Sequence, residues 1–251
     1  MKGLLLQYDD RNPLWATKLI ERNKIASKYL EWDHVYLTES EFDDTIAPYW
    51  RKVFLVDKYL KLNIYSYIVW IDSDAVLINE NELVNFIKNE MLDFSFAFSS
   101  NPGIFRIESF LFRLWAAPFC AGVFIVKNTS SSLKILDEWK SHYDSSLWTK
   151  TLHSDKLNPL NPFNIKNTYK WKGVGTYGGL SYEQGCFEVY IFRSDVYRKY
   201  LLQCPHTRMN YLPISGEKCT FKTIFLHYWN GNRQRIYKDW GGNLNLDYYK
   251  V

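Results

Sequence analysis

Ile68-Val69-Trp70-Ile71-Asp72-Ser73-Asp74-Ala75-Val76-Leu77-Ile78 is an apolar run interrupted by two aspartates that flank a serine. Short β-branched apolar runs read as buried strands, and a carboxylate held in a core is costly unless it reaches solvent or a cation. The pair is therefore expected at the C-terminal end of a strand. In open α/β sheets that edge is where ligands bind, and two hard oxygen donors so close together suit a divalent metal carrying phosphate oxygens. The stretch points to chemistry on a nucleotide. A D-x-D alone arises by chance in many chains, and a turn after a strand is the plain alternative, since Asp is a common turn residue. The apolar residues in front of it are what favour a strand end.

Outward from that run, strands and helices alternate. Gly3 to Tyr8 reads as a first strand, closed by the polar loop Asp9-Asp10-Arg11-Asn12. Pro13 opens a helix in which Trp15, Leu19, Ile20, Ala26 and Leu30 recur at helical spacing. Val35 to Leu37 is a second strand, and Trp50 to Leu62 an amphipathic helix. After the aspartates come a short helix at Asn79 to Asn89, strands at Phe94 to Phe98 and Ala121 to Val126, and a helix capped by Ser130-Ser131-Ser132. Leu147 to Gly179 is rich in Asn, Pro, Gly and Lys with little periodicity, as in long loops that are functional or disordered. Helical patterns return at Tyr182 to Tyr190 and Asp195 to Leu202, and Thr223 to His227 is a last strand. The expectation is an α/β fold, a mostly parallel central sheet flanked by helices.

Length and composition agree with one domain over residues 1–251. Apolar residues make up 47% and charged residues 23%, an ordinary globular balance that excludes a disordered chain. Aromatic residues reach 18%; most are accounted for by a core of large side chains, and the rest offer platforms for sugar rings and bases. A net charge of +4, with no long basic run, argues against nucleic acid as a partner. Cys120, Cys186, Cys204 and Cys219 form no CxxC and read as reduced thiols. No segment reads as a signal peptide or membrane span, so the expected place is cytoplasmic or otherwise soluble intracellular. Oligomeric state is not legible.

Three other places carry possible chemistry. His227 ends the last strand and precedes Tyr228-Trp229-Asn230-Gly231-Asn232-Arg233, a setting that can complete a metal site and hold phosphates. His34, His142, His153 and His206 lack that setting. Tyr182-Glu183-Gln184-Gly185 starts a helix, where Glu and Gln are either capping residues or a carboxylate and amide aimed at a sugar. Cys120-Ala121-Gly122-Val123 puts small residues at a strand start, for tight packing or for close backbone approach to a ligand.

In this order the pieces resemble a GT-A glycosyltransferase that uses a metal and a sugar nucleotide. They are most similar to retaining galactosyl-, xylosyl- and mannosyltransferases of mannan and xyloglucan synthesis, and more distantly to glycogenin-like enzymes. The resemblance is carried by Tyr8-Asp9-Asp10, Asn23-Lys24-Ile25-Ala26, Tyr49-Trp50-Arg51-Lys52, Trp70 to Asp74, Ala121 to Ile125, Glu183-Gln184 and His227 to Arg233. It implies a Rossmann-like GT-A domain in which Asp72, Asp74 and His227 hold Mn²⁺ or Mg²⁺ against the diphosphate of a UDP-sugar. It further implies that Tyr8 and Asp9 contact the base, that Ser73 joins the nucleotide contacts, and that Lys52 and Arg233 approach phosphate or ribose. Glu183 and Gln184 would lie by the reacting sugar carbon, and a hexose or pentose would pass to a glycan or other acceptor, with retention. Cys120 in place of Asn, Glu183 in place of Asp, and Gly231 one residue late depart from those families' patterns.

Two rivals use the same residues differently. A haloacid dehalogenase-like phosphohydrolase would use Asp72 as phosphoryl acceptor, but that family carries its motif on the first strand and a later Gly-Asp, which this chain lacks. A non-catalytic carbohydrate-binding module would use the aromatic surface and need neither metal nor nucleotide.

Overall fold

The computed structural model describes residues 2–11, 16–39, 42, 45–100, 119–152, 169–175, 179–211, 219–228, 236 and 239. Its strands are β1 (Gly3–Tyr8), β2 (Asp33–Leu37), β3 (Tyr67–Ile71), β4 (Ala75–Leu77), β5 (Phe96–Ser99), β6 (Val123–Lys127), β7 (Trp148–Leu152), β8 (Tyr169–Gly173), β9 (Leu201–Cys204) and β10 (Phe225–His227). The longer helices are α1 (Thr17–Tyr29), α2 (Pro48–Lys61), α3 (Glu80–Asn89) and α4 (Ser130–Ser141).

Six strands form the central sheet in the order β2-β1-β3-β6-β5-β9. The β1–β2, β1–β3 and β5–β9 pairs are parallel, while β6 runs antiparallel to both β3 and β5. Five strands thus point one way and β6 alone is reversed. The expected α/β architecture with a mostly parallel sheet is found. Every residue of β1 and of β3 is buried, which is why both read as continuous apolar runs rather than alternating ones. One face of the sheet packs Leu4, Leu6, Ile68, Trp70 and Phe124 against Trp50 and Val53 of α2 and Trp139 of α4. The other packs Leu5, Val69, Ile71 and Ile125 against Leu83, Phe86 and Ile87 of α3. Gly3 has no side chain because a Cβ there would lie 2.3 Å from the Trp32 ring.

Several elements depart from the sequence reading. The apolar residues after Asp74 form a separate strand, β4, which pairs antiparallel with β10 in a two-stranded sheet. The helix expected from Asp195 to Leu202 stops at Arg198, and Leu201 and Leu202 belong to β9 on the sheet edge. The helix expected over Tyr182 to Tyr190 is one α-turn, Glu183–Cys186, running into a wider π-type turn at Phe187–Phe192. Within the Leu147 to Gly179 segment, β7 and β8 pair antiparallel, so these described residues form a two-stranded sheet rather than a loop. Thr129, not the serine triplet, caps α4: its side chain accepts from Ser132 N–H. The Pro13 start of the first helix lies outside the described residues.

A buried amide joins the sheet to β4. Asn23 of α1 donates to Gln7 Oε1 at 3.2 Å and to the Ala75 carbonyl at 3.1 Å, and accepts from Leu77 N–H at 2.8 Å. Gln7 Oε1 also meets His34 Nε2 at 2.9 Å. Asn23→Ala leaves the Leu77 N–H and Ala75 carbonyl unpaired in the core, and urea unfolding should read a loss of about 3 kcal/mol. Burial, helped by the charge of Lys24, lowers the His34 pKa to about 4. The unfolded chain binds this proton from its ordinary value of 6.5 downward while the native chain does not, so stability falls as pH drops from 6.5 toward 4. In His34→Gln the midpoint of unfolding should change less with pH across that window than in the wild type.

Candidate functional site

The C-terminal ends of β1 and β3 and the start of the reversed β6 meet at one edge of the sheet, because reversal brings the N-terminal end of β6 level with its neighbours' C-terminal ends. Ile71 pairs with Val123, so Asp72 lies beside Gly122, and its N–H donates to the Gly122 carbonyl at 2.8 Å. The chain then turns, with Ala75 N–H donating to the Asp72 carbonyl at 2.9 Å, and enters β4. Because β4 pairs with β10 and Ala75 is opposite His227, the histidine is carried to the same turn. Oxygen atoms of Asp72 and Asp74 and a ring nitrogen of His227 all lie within 4.8 Å of one another.

Each carboxylate has its own counter-charge. Lys52 Nζ donates to Asp72 at 2.9 and 3.3 Å and to the Ala121 carbonyl at 3.1 Å. Trp70 Nε1 donates to the same carboxylate at 2.7 Å. His227 Nε2 lies 3.0 Å from Asp74 Oδ1. Burial works against a charged imidazole here, but the Asp74 carboxylate outweighs it and raises the His227 pKa to about 10. For Lys52, burial is likewise outweighed, by the charges of Asp72 and Glu183, and its pKa is raised. The Asp72 side chain keeps 28% of its surface, so the site opens on that side.

Glu183 is fully buried, and neither carboxylate oxygen has a hydrogen bond. Its nearest cation is Lys52, whose Nζ lies at 3.6 Å, an ion-pair distance. Burial pushes the Glu183 pKa up to about 7, with the Lys52 charge opposing and that of Asp72 adding. Gln184 Oε1 accepts from Ala121 N–H at 3.3 Å. Gln184 therefore sits against the residues leading into β6, and Glu183 beside the lysine that holds Asp72.

Tyr8 and Asp9 lie at the end of β1. Asp9 accepts from Arg11 at 2.8 and 2.7 Å, and from the Ser73 hydroxyl. The Tyr8 hydroxyl accepts from Arg51, which also reaches Asp10 at 3.2 Å. Asp72, Asp74, His227, Lys52, Glu183 and Gln184 are thus gathered at one sheet edge, and Ser73 ties Tyr8 and Asp9 to it. Arg233 and the glycine loop before it lie outside the described residues. Gly122 has no side chain because of packing: a Cβ would stand 2.0 Å from His227 Cε1. Arg51 enters the sequence reading only within Tyr49-Trp50-Arg51-Lys52, with no role of its own, and Asn210 not at all: it carries no spacing signal toward His227, seventeen residues on.

Two carboxylates and an imidazole within one coordination sphere offer mainly hard oxygen donors with one borderline nitrogen, a set that fits Mn²⁺ or Mg²⁺. Among the described residues no helix is long and apolar enough to cross a membrane.

No protein-family model matches the chain, and no curated protein matches it in sequence. Among solved structures it is similar to a glycosyltransferase involved in the glycosylation of the major capsid of PBCV-1, at 16% identity and a TM-score of 0.61, over 94% of this chain and 98% of that one. It also aligns with the glycosyltransferase GlyE of Streptococcus pneumoniae TIGR4 at 12% identity and a TM-score of 0.44, over 100% of this chain and 64% of that one. A Drosophila β-1,4-galactosyltransferase 7 mutant in complex with manganese, UDP-Gal and xylobiose aligns at 12% identity and a TM-score of 0.42, over 100% and 80%. The first likeness is one of fold, and the other two are too distant to carry an argument.

Lys52 neutralises two carboxylates at once, so Lys52→Met should cost about 3–5 kcal/mol in urea unfolding, as when one partner of a buried pair is removed. Glu183→Gln alone should cost far less, and the double variant should recover part of the Lys52→Met loss. Additive losses would mean that the two groups are not coupled.

Proposed function

We propose that the chain is a metal-dependent glycosyltransferase, one GT-A domain that moves a hexose or pentose from a nucleoside-diphosphate sugar to an acceptor hydroxyl. The observation that carries this reading is the convergence of Asp72, Asp74 and His227 at the ligand edge of a glycosyltransferase-like fold. Kinship with the retaining galactosyl-, xylosyl- and mannosyltransferases belongs to the same proposal, and with it UDP as the nucleotide and retention as the outcome.

Asp72, Asp74 and His227 would hold Mn²⁺ or Mg²⁺. When bound, such a cation neutralises the charge that develops on a departing diphosphate. The residues of the chain do the remaining work by position. Lys52 and Trp70 fix the Asp72 carboxylate by donating to it. Ser73, through Asp9, couples that turn to the end of β1, where Tyr8 and Asp9 would meet the base. Gln184, held by Ala121 N–H, and Glu183, set against Lys52, would line the floor below the sugar. Transfer then depends on holding the acceptor hydroxyl near the anomeric carbon rather than on a strong nucleophile. An amide is a poor covalent nucleophile, which favours same-face attack through an ion-pair-like intermediate. A glycan or other acceptor would dock along the Leu147 to Gly179 segment, of which β7–β8 is the described part.

Calorimetry with UDP, GDP and CMP, each with and without Mn²⁺, tests this reading. UDP should bind only with the metal, and Asp74→Ala should abolish both binding and donor hydrolysis while the chain still melts cooperatively, at a lower temperature than wild type because His227 loses its buried partner. Sugar binding untouched by EDTA would instead support a binding module. Release of phosphate from p-nitrophenyl phosphate, lost in Asp72→Asn, would support the phosphohydrolase. Proton NMR of the fresh product from an α-linked donor should show an α-linkage, and a β-linkage would exclude retention.

A further inference from the structure

His227 uses only one of its two ring nitrogens toward the aspartates. The other, Nδ1, faces Asn210, whose Oδ1 lies 2.6 Å away. Asn210 is completely buried, and nothing in its sequence neighbourhood marks it. It follows the helical turn His206–Met209, and its own N–H donates to the His206 carbonyl at 2.8 Å. The next residue is tied to β10: Tyr211 bridges Leu226, its N–H donates to the Phe225 carbonyl at 3.3 Å, and its carbonyl accepts from His227 N–H at 2.9 Å. The backbone thus fixes the distance between the amide and the ring. Asn210 Nδ2 points toward the Ser100 carbonyl at 3.5 Å, which turns Oδ1 toward the imidazole.

The ring is enclosed on its other sides. Gly122 leaves space that any Cβ would fill, and Cys120 Sγ lies 3.9 Å from Nδ1. A carbonyl oxygen accepts but cannot donate, so an imidazole beside it must carry its hydrogen on Nδ1. That leaves Nε2, whose hydrogen faces Asp74 and is released when a cation takes its place, as the nitrogen able to present a lone pair beside Asp72 and Asp74.

Resting on the metal reading above, we propose that Asn210 is a positioning residue for the cation site: by accepting the Nδ1 hydrogen it fixes the tautomer and tilt of His227 and aims Nε2 at the position shared with Asp72 and Asp74. Outer partners of ligating histidines commonly govern metal affinity by 10- to 100-fold. The cysteine beside the ring is a weak hydrogen-bonding group and does not replace the amide oxygen.

The test uses Mn²⁺ alone, titrated by calorimetry into the full chain, with melting curves taken without metal. Asn210→Leu, close to Asn in size but without an acceptor, should weaken Mn²⁺ binding by about 10- to 100-fold while the chain still melts cooperatively. Asn210→Asp keeps the acceptor oxygen and should bind Mn²⁺ within about threefold of wild type or more tightly, a rescue that a purely packing role would not give. Should Asn210→Leu fail to fold, Asn210→Ala removes the same acceptor without crowding and carries the same expectation. Wild-type affinity in the acceptor-less variants, or equal loss in Asn210→Asp, overturns the proposal while leaving the metal reading in place. A wild-type chain that takes up no Mn²⁺ overturns both.

Discussion

Two carboxylates end a wholly buried strand, and the neutralisation of that pair is the constraint from which the rest of the site follows. An isolated carboxylate in a low-dielectric setting is so costly that it would take up a proton rather than stay charged. Here Asp72 has Lys52 and Asp74 has His227, at 2.9 and 3.0 Å. Each cation comes from a different element: Lys52 from α2, across one face of the sheet, and His227 from β10 in the small second sheet. Attraction of this kind is largely offset by the cost of removing both partners from water. Its main product is geometry, since the charges can be buried only where α2, β3 and β10 are held in fixed relation.

The reversed strand β6 makes that relation possible. A parallel strand in its place would bring its own C-terminal end to this edge, whereas β6 brings its beginning, and with it two consecutive residues whose three backbone groups do separate tasks. The Ala121 carbonyl receives Lys52, the Ala121 N–H fixes Gln184, and the Gly122 carbonyl receives Asp72 N–H. The missing side chain at Gly122 then admits the His227 ring. Small residues at this strand start therefore serve the chain's own packing.

What could be read in the sequence, and what could not, divides along physical lines. β1, β3, α2 and α3 were legible because burial on one or both sides writes a periodicity into neighbouring residues. β4 was not: Ala75 to Leu77 continues the apolar run of β3, and only pairing with a strand about 150 positions away makes it a separate element. Leu201 and Leu202 follow a helical turn closely enough to pass for its continuation, and it is the sheet edge at β5 that recruits them as β9. His227 was legible because it closes an apolar strand run at its C-terminal end, the position that sets it beside the aspartates. Asn23 and Asn210 were not, because a buried amide is defined by partners distant in sequence, and no local spacing announces them. Lys52 stood out only through resemblance; its double duty toward Asp72 and Glu183 is a property of the folded chain.

The turn between β3 and β4 shows how these contributions add up. Three consecutive residues are anchored in three directions: Asp72 to Lys52 on α2, Ser73 to Asp9 at the end of β1, and Asp74 to His227 on β10. A turn with one anchor can pivot, and one with two can still rotate about the line joining them. Three anchors that do not lie on one line remove that freedom, so the orientation of both aspartates is set before any ligand arrives. Groups aimed in advance at a site of developing charge need no rearrangement when the charge appears, which is where preorganised electrostatic stabilisation has its advantage over water. The serine between the aspartates is in this respect as much a part of the arrangement as the carboxylates, because its bond to Asp9 joins the turn between β3 and β4 to the end of β1.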